Sequence, residues 1–410
     1  MRVFRGIFGV LSLCMVSTTG VVAQDLDLLN ATVIDGTAAP ARQVAAVLVR
    51  GGKITAISDR APPAAAGVKR IDLTGRYLLP GLIDAHTHIT SPDAAARALQ
   101  SGVTTARSLG DSYHQAQGTR DLIRAGYVPG PELLVASSII RPKPGAGFFV
   151  TYPQFGAYYA GELRGPKLIT EVTRAMIDSG VDIIKVSASE RAGLPTTDPR
   201  RNELTEEEMH AAVVEAGRSG RYVAVHAHSR SGIAAAVRAG VHSIEHGVYM
   251  DDETLAEMKR RGTFLVPTLA VLSPMGDSVG TSAADVALQI RTLQMMEPIR
   301  AVVRKAKAMG VVVAAATDGS YGDGDSTARL RVADDMTVMV KDCGFTPLEA
   351  IAAATLNGAR VLGIEGRTGT IRTGMEADLI VLERDPLQDF SAMFEPIQVI
   401  SNGRVAVERP

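Results

Sequence analysis

The sequence is poor in cysteine and contains no tryptophan. Its 410 residues include only two cysteines, Cys14 and Cys343. Two cysteines cannot build the disulfide framework of a small secreted domain or a cysteine-rich zinc site. Any metal in this protein must therefore be bound by histidine, aspartate, glutamate or lysine side chains.

The sequence also lacks an excess of charge of either sign. Lysine and arginine total 43 against 44 aspartate and glutamate residues, which gives a formal net charge of -1. Such a balance provides no broad positive field for binding nucleic acid through its phosphates, so no nucleic-acid partner is expected. With 46% hydrophobic and 21% charged residues, the chain can bury a large core. We therefore expect a globular protein.

The N-terminal segment has the pattern of an export signal. Arginines in the first five positions precede a mostly apolar stretch, 7–16, and small residues precede Gln24. We expect residues 1–23 to be a cleaved signal peptide and the mature protein to be periplasmic or secreted. No stretch reaches the ~20 apolar residues of a membrane-spanning helix, so no membrane contact is expected after cleavage. A lipoprotein anchor at Cys14 is the alternative, but Leu13 is bulky where such signals have a small residue.

Eight short apolar runs follow one another through the middle of the chain, separated by stretches of helical length. The runs are rich in Val and Ile, which is typical of βα units around a parallel sheet. Eight such units predict an α/β fold, a (β/α)8 TIM barrel, over residues 80–365. Capping boxes at Thr205 and Thr346 predict helix starts. The runs are 82–89, 103–109, 132–139, 181–188, 222–228, 243–246, 263–269 and 311–318.

The two ends of the mature chain have a different pattern. Residues 24–79 and 366–410 alternate short strand-like pieces with Gly- and Pro-containing turns. We predict that both ends form one composite β-sandwich domain beside the barrel. No repeat of 20–50 residues favours a repeat architecture.

Histidines and one aspartate stand at the ends of several predicted strands. His86 and His88 end the first run two positions apart, and residues i and i+2 of a strand point to the same face. His226 lies at the end of the fifth run, His246 ends the sixth and Asp318 the eighth. Because barrel enzymes have their chemistry at the carboxyl ends of strands, these side chains are expected to meet at one mouth. Imidazoles and a carboxylate gathered there predict a metal site.

Three further residues near strand ends are candidates, each with an alternative. Lys185 ends an apolar run that would otherwise bury an ammonium group; a lysine that reaches solvent from the strand end is the alternative. His228 shares a face with His226 and would contact the substrate carbonyl or support a ligand, unless it is purely structural. Arg230 is suited to pairing with a substrate carboxylate, with an ordinary surface arginine as the alternative.

The order His-x-His, Lys, His, His, Asp along the predicted barrel resembles the amidohydrolase superfamily. Within it, the chain is similar to the branch of metal-dependent Xaa-Pro dipeptidases and imidazolonepropionase-like proteins. The resemblance covers nearly the whole mature chain. The matching segments are Pro-Gly-Leu-Ile-Asp-Ala-His-Thr-His at 80–88, Ser-Ile-Glu-His-Gly at 243–247, Thr-Asp at 317–318, Thr-Leu-Asn-Gly-Ala at 355–359, Gly-Thr-Ile at 369–371 and Ala-Asp-Leu at 377–379.

The resemblance implies a hydrolase of carbon–nitrogen amide bonds with two divalent metal ions, zinc by default. Lys185, carboxylated by carbon dioxide, would bridge both ions, because a carbamate is an anion with two oxygens whereas a lysine cation would be repelled. A metal-bridging hydroxide would attack the amide, and Asp318 would take its proton and pass it to the leaving amine. The implied ligands are His86, His88 and Asp318 for the more buried ion and His226 and His246 for the other.

The resemblance also implies a small-molecule substrate and a homo-oligomer. The expected substrate is a dipeptide or an N-acyl amino acid, cleaved at its C-terminal amide bond. One alternative is an imidazolonepropionase-like enzyme that opens a cyclic amide with one metal, although such a site needs no bridging anion from Lys185. Another is a non-catalytic exported metal-binding barrel, which would have no need of Asp318.

The chain departs from these relatives after the third predicted strand. Many of them have a Gly-Gly-His-Gly segment there, whereas residues 141–147 contain no histidine. Six of the chain's Phe and Tyr residues follow within 148–159. We interpret this aromatic loop as a lid or wall for an apolar substrate group, or else as an interface.

Overall fold

The computed structural model describes residues 23–136, 138–272, 282–324 and 327–409. Apart from Ala23, the predicted signal peptide lies outside these residues, so it remains a prediction. Within the described ranges, no helix combines the length and the apolar character needed to cross a bilayer.

Two parallel sheets supply the central barrel. Their strands correspond to the first seven apolar runs of the sequence, and nearly all of their residues are buried. In spatial order the first sheet consists of Glu132–Val135, Val103–Ser108 and Leu82–Thr87, and the second of Ile184–Ser187, Val223–Ala227, Ser243–His246 and Phe264–Val266.

Single bridges close these two sheets into a ring. Between the third and fourth strands, Ala136 pairs with Ile183. On the opposite side, Val313 pairs with Leu265, and the N–H of Ala85 donates to the carbonyl of residue 315 at 3.3 Å. The segment 311–318 therefore occupies the eighth position, and this arrangement agrees with the predicted (β/α)8 barrel.

This eighth segment is extended but is not a regular strand. Two of its N–H groups donate to carboxylates, from Ala316 to Asp335 at 3.1 Å and from Thr317 to Asp84 at 3.0 Å. Because these donors are taken by side chains, the described segment forms one isolated bridge, at Val313, and separate backbone hydrogen bonds in place of a continuous ladder. A hydrophobic pattern does not reveal side-chain bonds of this kind, so the sequence predicted a full strand.

Helices surround the barrel, and both predicted capping boxes are present. Thr205 and Thr346 each accept a hydrogen bond from the backbone of the third helical residue, whose glutamate bonds back to the cap. The helices are Pro92–Gln100, Tyr113–Arg124, Ala146–Thr151, Pro166–Asp178, Glu206–Arg218, Arg230–Ala239, Asp252–Arg261, Ala283–Met309, Val332–Asp342, Pro347–Ala353 and Leu356–Leu362.

The two chain ends combine into a β-sandwich. Its two sheets enclose a separate apolar core. In spatial order, one sheet consists of Lys53–Ser58, Ala46–Arg50, Leu26–Leu29 and Lys69–Asp72. The other consists of Arg404–Glu408, Gln398–Ser401, Leu379–Leu382, Tyr77–Pro80, Thr32–Val33 and Arg42–Gln43.

One strand of the sandwich joins its core to the barrel. Side chains alternate along Leu379–Leu382, so that Leu379 packs into the sandwich core while Ile380 packs into the large cluster around the barrel. The N–H of Gly81 donates to the carbonyl of Asp378 at 2.8 Å, immediately before the first barrel strand. The sandwich thus fixes the chain at the point where it enters the strand of His86.

Candidate active site

A cavity of about 220 Å³ opens at the carboxyl ends of the barrel strands. Part of its lining is aliphatic, from side chains such as Leu109, Ile139 and Val248. The polar lining contains every metal ligand that the sequence predicted, together with the neighbouring histidine of the fifth strand. These residues are His86, His88, Lys185, His226, His228, His246 and Asp318.

His86 and His88 converge on one carboxylate oxygen. The Nε2 atoms of His86 and His88 lie 3.2 Å and 3.0 Å from Oδ1 of Asp318. Their Nδ1 atoms lie 2.9 Å from Glu245 and 2.8 Å from Asp111, respectively. A carboxylate behind an imidazole fixes the orientation of the ring and directs the other nitrogen to the ligand site, as in many metal centres.

Glu245 and Asp111 are site residues that the sequence analysis missed. Arg107 donates a hydrogen bond to the carboxylate of Glu245 at 2.8 Å, and the hydroxyl of Ser243 donates to the same carboxylate at 2.5 Å, all within the barrel interior. Burial alone would raise the pKa of Glu245, but the positive charge of Arg107 holds it below the ordinary value. Glu245 therefore remains an anion beside His86. For Glu245, the sequence did contain a signal, because this acidic residue lies within an apolar run that is expected to form a buried strand.

The backbone is strained at two of the candidate ligands. His246 and Asp318 have φ angles of 71° and 53°, in a region that side-chain-bearing residues rarely adopt. Asp84 braces the turn at Asp318, because it accepts hydrogen bonds from the hydroxyls of Thr317 and Tyr321, each at 2.8 Å. These bonds hold the Asp318 carboxylate at the mouth of the barrel.

The protonation states suit a cation-binding site. Burial alone would raise the pKa of Asp318, but the charges of His86 and His88 hold it well below the ordinary value. Burial, first of all, lowers the pKa of His226 and His246 well below the usual range, so both imidazoles are neutral. Burial opposes protonation of His88 too, but Asp111 outweighs it and raises its pKa to about 10, so binding of a metal there would release a proton.

Several buried nitrogens in the cavity have no hydrogen-bond partner among the described residues. They include Nζ of Lys185, Nε2 of His226 and both ring nitrogens of His228. Since buried polar atoms are almost always bonded, their convergence fits a missing polar group. Ligand atoms lie within 4.8 Å of one another in two sets, which are His226, His228 and His246, and His86, His246 and Asp318. The residues present therefore fit bound metal ions.

The structure does not bring Arg230 to this cavity. Arg230 is the first residue of its helix, its side chain is 71% exposed, and it pairs with Asp251 at 2.5 Å. Nothing in this position supports contact with a substrate. Arg191, in the loop after the fourth strand, lines the cavity instead. The sequence analysis missed Arg191 because no periodic pattern determines where a loop side chain lies.

The aromatic side chains of the loop 148–159 do not line the cavity either. Phe148, Tyr152 and Phe155 are buried and pack on one another, with ring centroids of Phe148 at 5.2 Å from Tyr152 and 6.1 Å from Phe155. No Phe or Tyr of residues 148–159, all of which are described, lines the cavity. The expectation of an aromatic wall is therefore not met, and the apolar lining is aliphatic.

Comparison with known proteins agrees with this geometry. Residues 77–406 match the family described as "Amidohydrolase family". The chain is 31% identical over 360 residues to ochratoxinase of Aspergillus niger, covering 78% of this chain and 72% of that protein. It is 25% identical over 408 residues to imidazolonepropionase of Symbiobacterium thermophilum, covering 88% and 90%. A Xaa-Pro dipeptidase structure with bound methionine in its active site superposes with a TM-score of 0.82 and 26% identity, covering 93% and 99%.

The barrel, the gathered histidines and the match over residues 77–406 establish that the chain belongs to the amidohydrolase family. The resemblance inferred from the sequence is thus confirmed. The protein is a hydrolase that acts on the carbon–nitrogen bond of amides, and its substrate is a small molecule.

Proposed function

We propose that this protein is a binuclear metal-dependent amidohydrolase that releases an amino acid from a dipeptide or an N-acyl amino acid. The main support is that the unpartnered nitrogens of Lys185, His226 and His228 face the same cavity as the carboxylate of Asp318. Further support comes from the relatives, which include a Xaa-Pro dipeptidase whose active site holds methionine, a free amino acid.

The donor set suits two divalent ions, with zinc as the default for nitrogen and oxygen ligands. His86, His88 and Asp318 would hold one ion, and His226 and His246 the other. When bound, the ions lower the pKa of a water molecule and polarise the amide carbonyl.

Lys185 suits the role of the bridging ligand. Burial, the largest influence, lowers the pKa of Lys185 to about 8, so the neutral amine is far more populated near neutral pH than it is in an exposed lysine. The neutral amine can bond to the carbon of carbon dioxide and lose a proton, which gives a carbamate. That product has two anionic oxygens and would replace a cation that two metal ions would repel.

Asp318 and His228 would perform the proton transfer and the orientation of the substrate. Asp318 is ionised and lies at the metal site, so it can accept a proton from the attacking water and deliver it to the leaving nitrogen. Burial lowers the pKa of His228 to about 4, so this ring is neutral and donates through one nitrogen. We place that N–H against the substrate carbonyl oxygen, where negative charge develops.

Opening of a cyclic amide is the second candidate, because the chain is 25% identical to an imidazolonepropionase over most of its length. We expect zinc-loaded protein to release free amino acids from N-acyl amino acids and dipeptides and to leave the imidazolone ring intact. Chromatography of the products distinguishes the two reactions, and a chelator-treated sample is the control. Ring opening without amino acid release would favour the second candidate.

We also propose that the protein is exported. This proposal rests on the basic and apolar pattern of residues 1–23. Mass spectrometry of protein recovered from the periplasm or medium is expected to find an N-terminus at Gln24. Full-length protein that starts at Met1 in the cytoplasm would contradict export.

A further inference from the structure

The cavity contains one arginine whose charge has no partner. Among the described residues that line the cavity, one is a lysine, Lys185, and one is an arginine, Arg191. Lys185 is buried at the metal site, whereas Arg191 is exposed. Within the described ranges 23–136, 138–272, 282–324 and 327–409, the guanidinium of Arg191 makes no hydrogen bond or ion pair.

The surroundings of Arg191 set it apart from nearby arginines. Partial burial, followed by the positive charge of Arg141, lowers its pKa below the ordinary value. Arg141 itself is neutralised by Glu203 at 2.8 Å. Other arginines of this region also have a carboxylate within 4.0 Å, and they are Arg164, Arg200, Arg201 and Arg230. Arg191 therefore retains a positive charge that an anionic ligand would stabilise.

The loop that presents Arg191 is anchored on both sides. On one side, Ser189 forms an isolated β-bridge with Asn202, and the N–H of Glu190 donates to the carbonyl of residue 201 at 3.0 Å. On the other side, Arg291 of the helix Ala283–Met309 donates three hydrogen bonds of 2.6 to 2.8 Å to the carbonyls of residues 192, 194 and 197. A loop fixed in this way loses little freedom when ligand binds, which favours affinity.

We propose that the guanidinium of Arg191 binds the free α-carboxylate of the substrate, and that Arg291 positions the loop that presents it. This inference rests on the proposed function, since it concerns the substrate of the same site. A planar guanidinium can donate two parallel hydrogen bonds to a carboxylate, which fixes orientation as well as charge. The remainder of the substrate then lies between the metal site and the aliphatic lining.

The test compares one N-acyl amino acid with its C-terminal carboxamide, which has the same scissile bond but no charge. Cleavage of the N-acyl bond is followed in both by release of the acyl acid. Wild-type protein is expected to favour the acid in kcat/KM by about 10- to 100-fold, the size of a charge-assisted double hydrogen bond. Arg191→Met is expected to bring this ratio near one, and Arg191→Lys to restore part of it.

Matched variants identify which arginine is responsible for the preference for the acid over the carboxamide. Arg200→Met removes an exposed arginine from the same loop that is paired with Asp198, and it should leave the ratio unchanged. Arg291→Met is expected to lower the ratio by about threefold or more; simple loosening of the structure would slow both substrates equally and leave the ratio unchanged. Calorimetry of the released amino acid, which has the same free α-carboxylate, with wild-type protein and Arg191→Met measures the contact without turnover.

The outcomes separate this inference from the proposed function. Equal cleavage of acid and carboxamide by wild-type protein would overturn the role of Arg191 while leaving the hydrolase intact. An unchanged ratio in Arg191→Met, or a collapse of the ratio in Arg230→Met instead, would overturn it as well. If metal-loaded protein cleaves no acyclic amide, the proposed function fails. In that case, unaltered calorimetric binding in Arg191→Met would overturn the carboxylate contact separately, whereas weakened binding would support it.

Discussion

Replacing Asp318 with asparagine is expected to lower kcat by about 10³-fold while leaving the fold in place. The amide can still lie near the Nε2 atoms of His86 and His88, but it cannot take a proton from the attacking water. The positive φ of Asp318 is compatible with asparagine, which adopts this conformation more readily than most residues. Steady-state hydrolysis of an N-acyl amino acid measures the loss, and circular dichroism checks the fold.

The control for this variant is Asp323→Asn. Asp323 follows Asp318 in the chain, is 86% exposed and pairs with Arg97 at 3.0 Å. Its replacement should leave kcat within about twofold of wild type, as for most surface changes. If Asp318→Asn retains wild-type kcat with its metal bound, Asp318 is not the base, and His228 becomes the stronger candidate.

The second large effect is expected for Lys185→Ala. Removal of the bridging ligand should lower the metal content from two ions per chain to one or fewer. Because a correctly placed metal pair contributes several kcal/mol to stabilisation of the transition state, kcat/KM should fall by about 10³-fold. Elemental analysis after gel filtration and the standard hydrolysis assay measure both changes.

Rescue distinguishes a lost bridge from a damaged barrel. Alanine leaves space in the buried position of Lys185, so acetate or propionate can supply two carboxylate oxygens there. We expect these anions to restore part of the metal content and the activity, whereas chloride should not. Lys167→Ala, on an exposed helix position, is the matched control and should retain both metals. Full metal content and turnover in Lys185→Ala would rule out the bridge.

The gathering of the candidate ligands could be predicted because they lie on or directly after the apolar runs that form the barrel. Alternation along the first strand places His86 and His88 on one face, and parallel strands align their carboxyl ends. From these two facts, the proximity of His226, His246 and Asp318 can be predicted without knowledge of the loop conformations. The apolar runs also determine the barrel itself, since each must be buried.

The remaining features depend on interactions that no periodicity encodes. Asp111 follows the second strand in a loop, and its contact with His88 spans 23 positions of sequence. Arg191 reaches the cavity because Arg291, a hundred residues later, binds the carbonyls of its loop. Arg230 was a reasonable choice from its place after the fifth strand, but its partner Asp251 draws it to the surface.

Metal titration tests the central claim of two cooperating ions most directly. Chelated protein is supplied with zinc and bicarbonate in steps, and bound metal and hydrolysis of an N-acyl amino acid are measured at each step. The account predicts an inactive apoprotein, two ions bound per chain at saturation, and activity that rises with the second equivalent. Full activity in the metal-free protein, or activity that reaches its maximum at one equivalent, would contradict it.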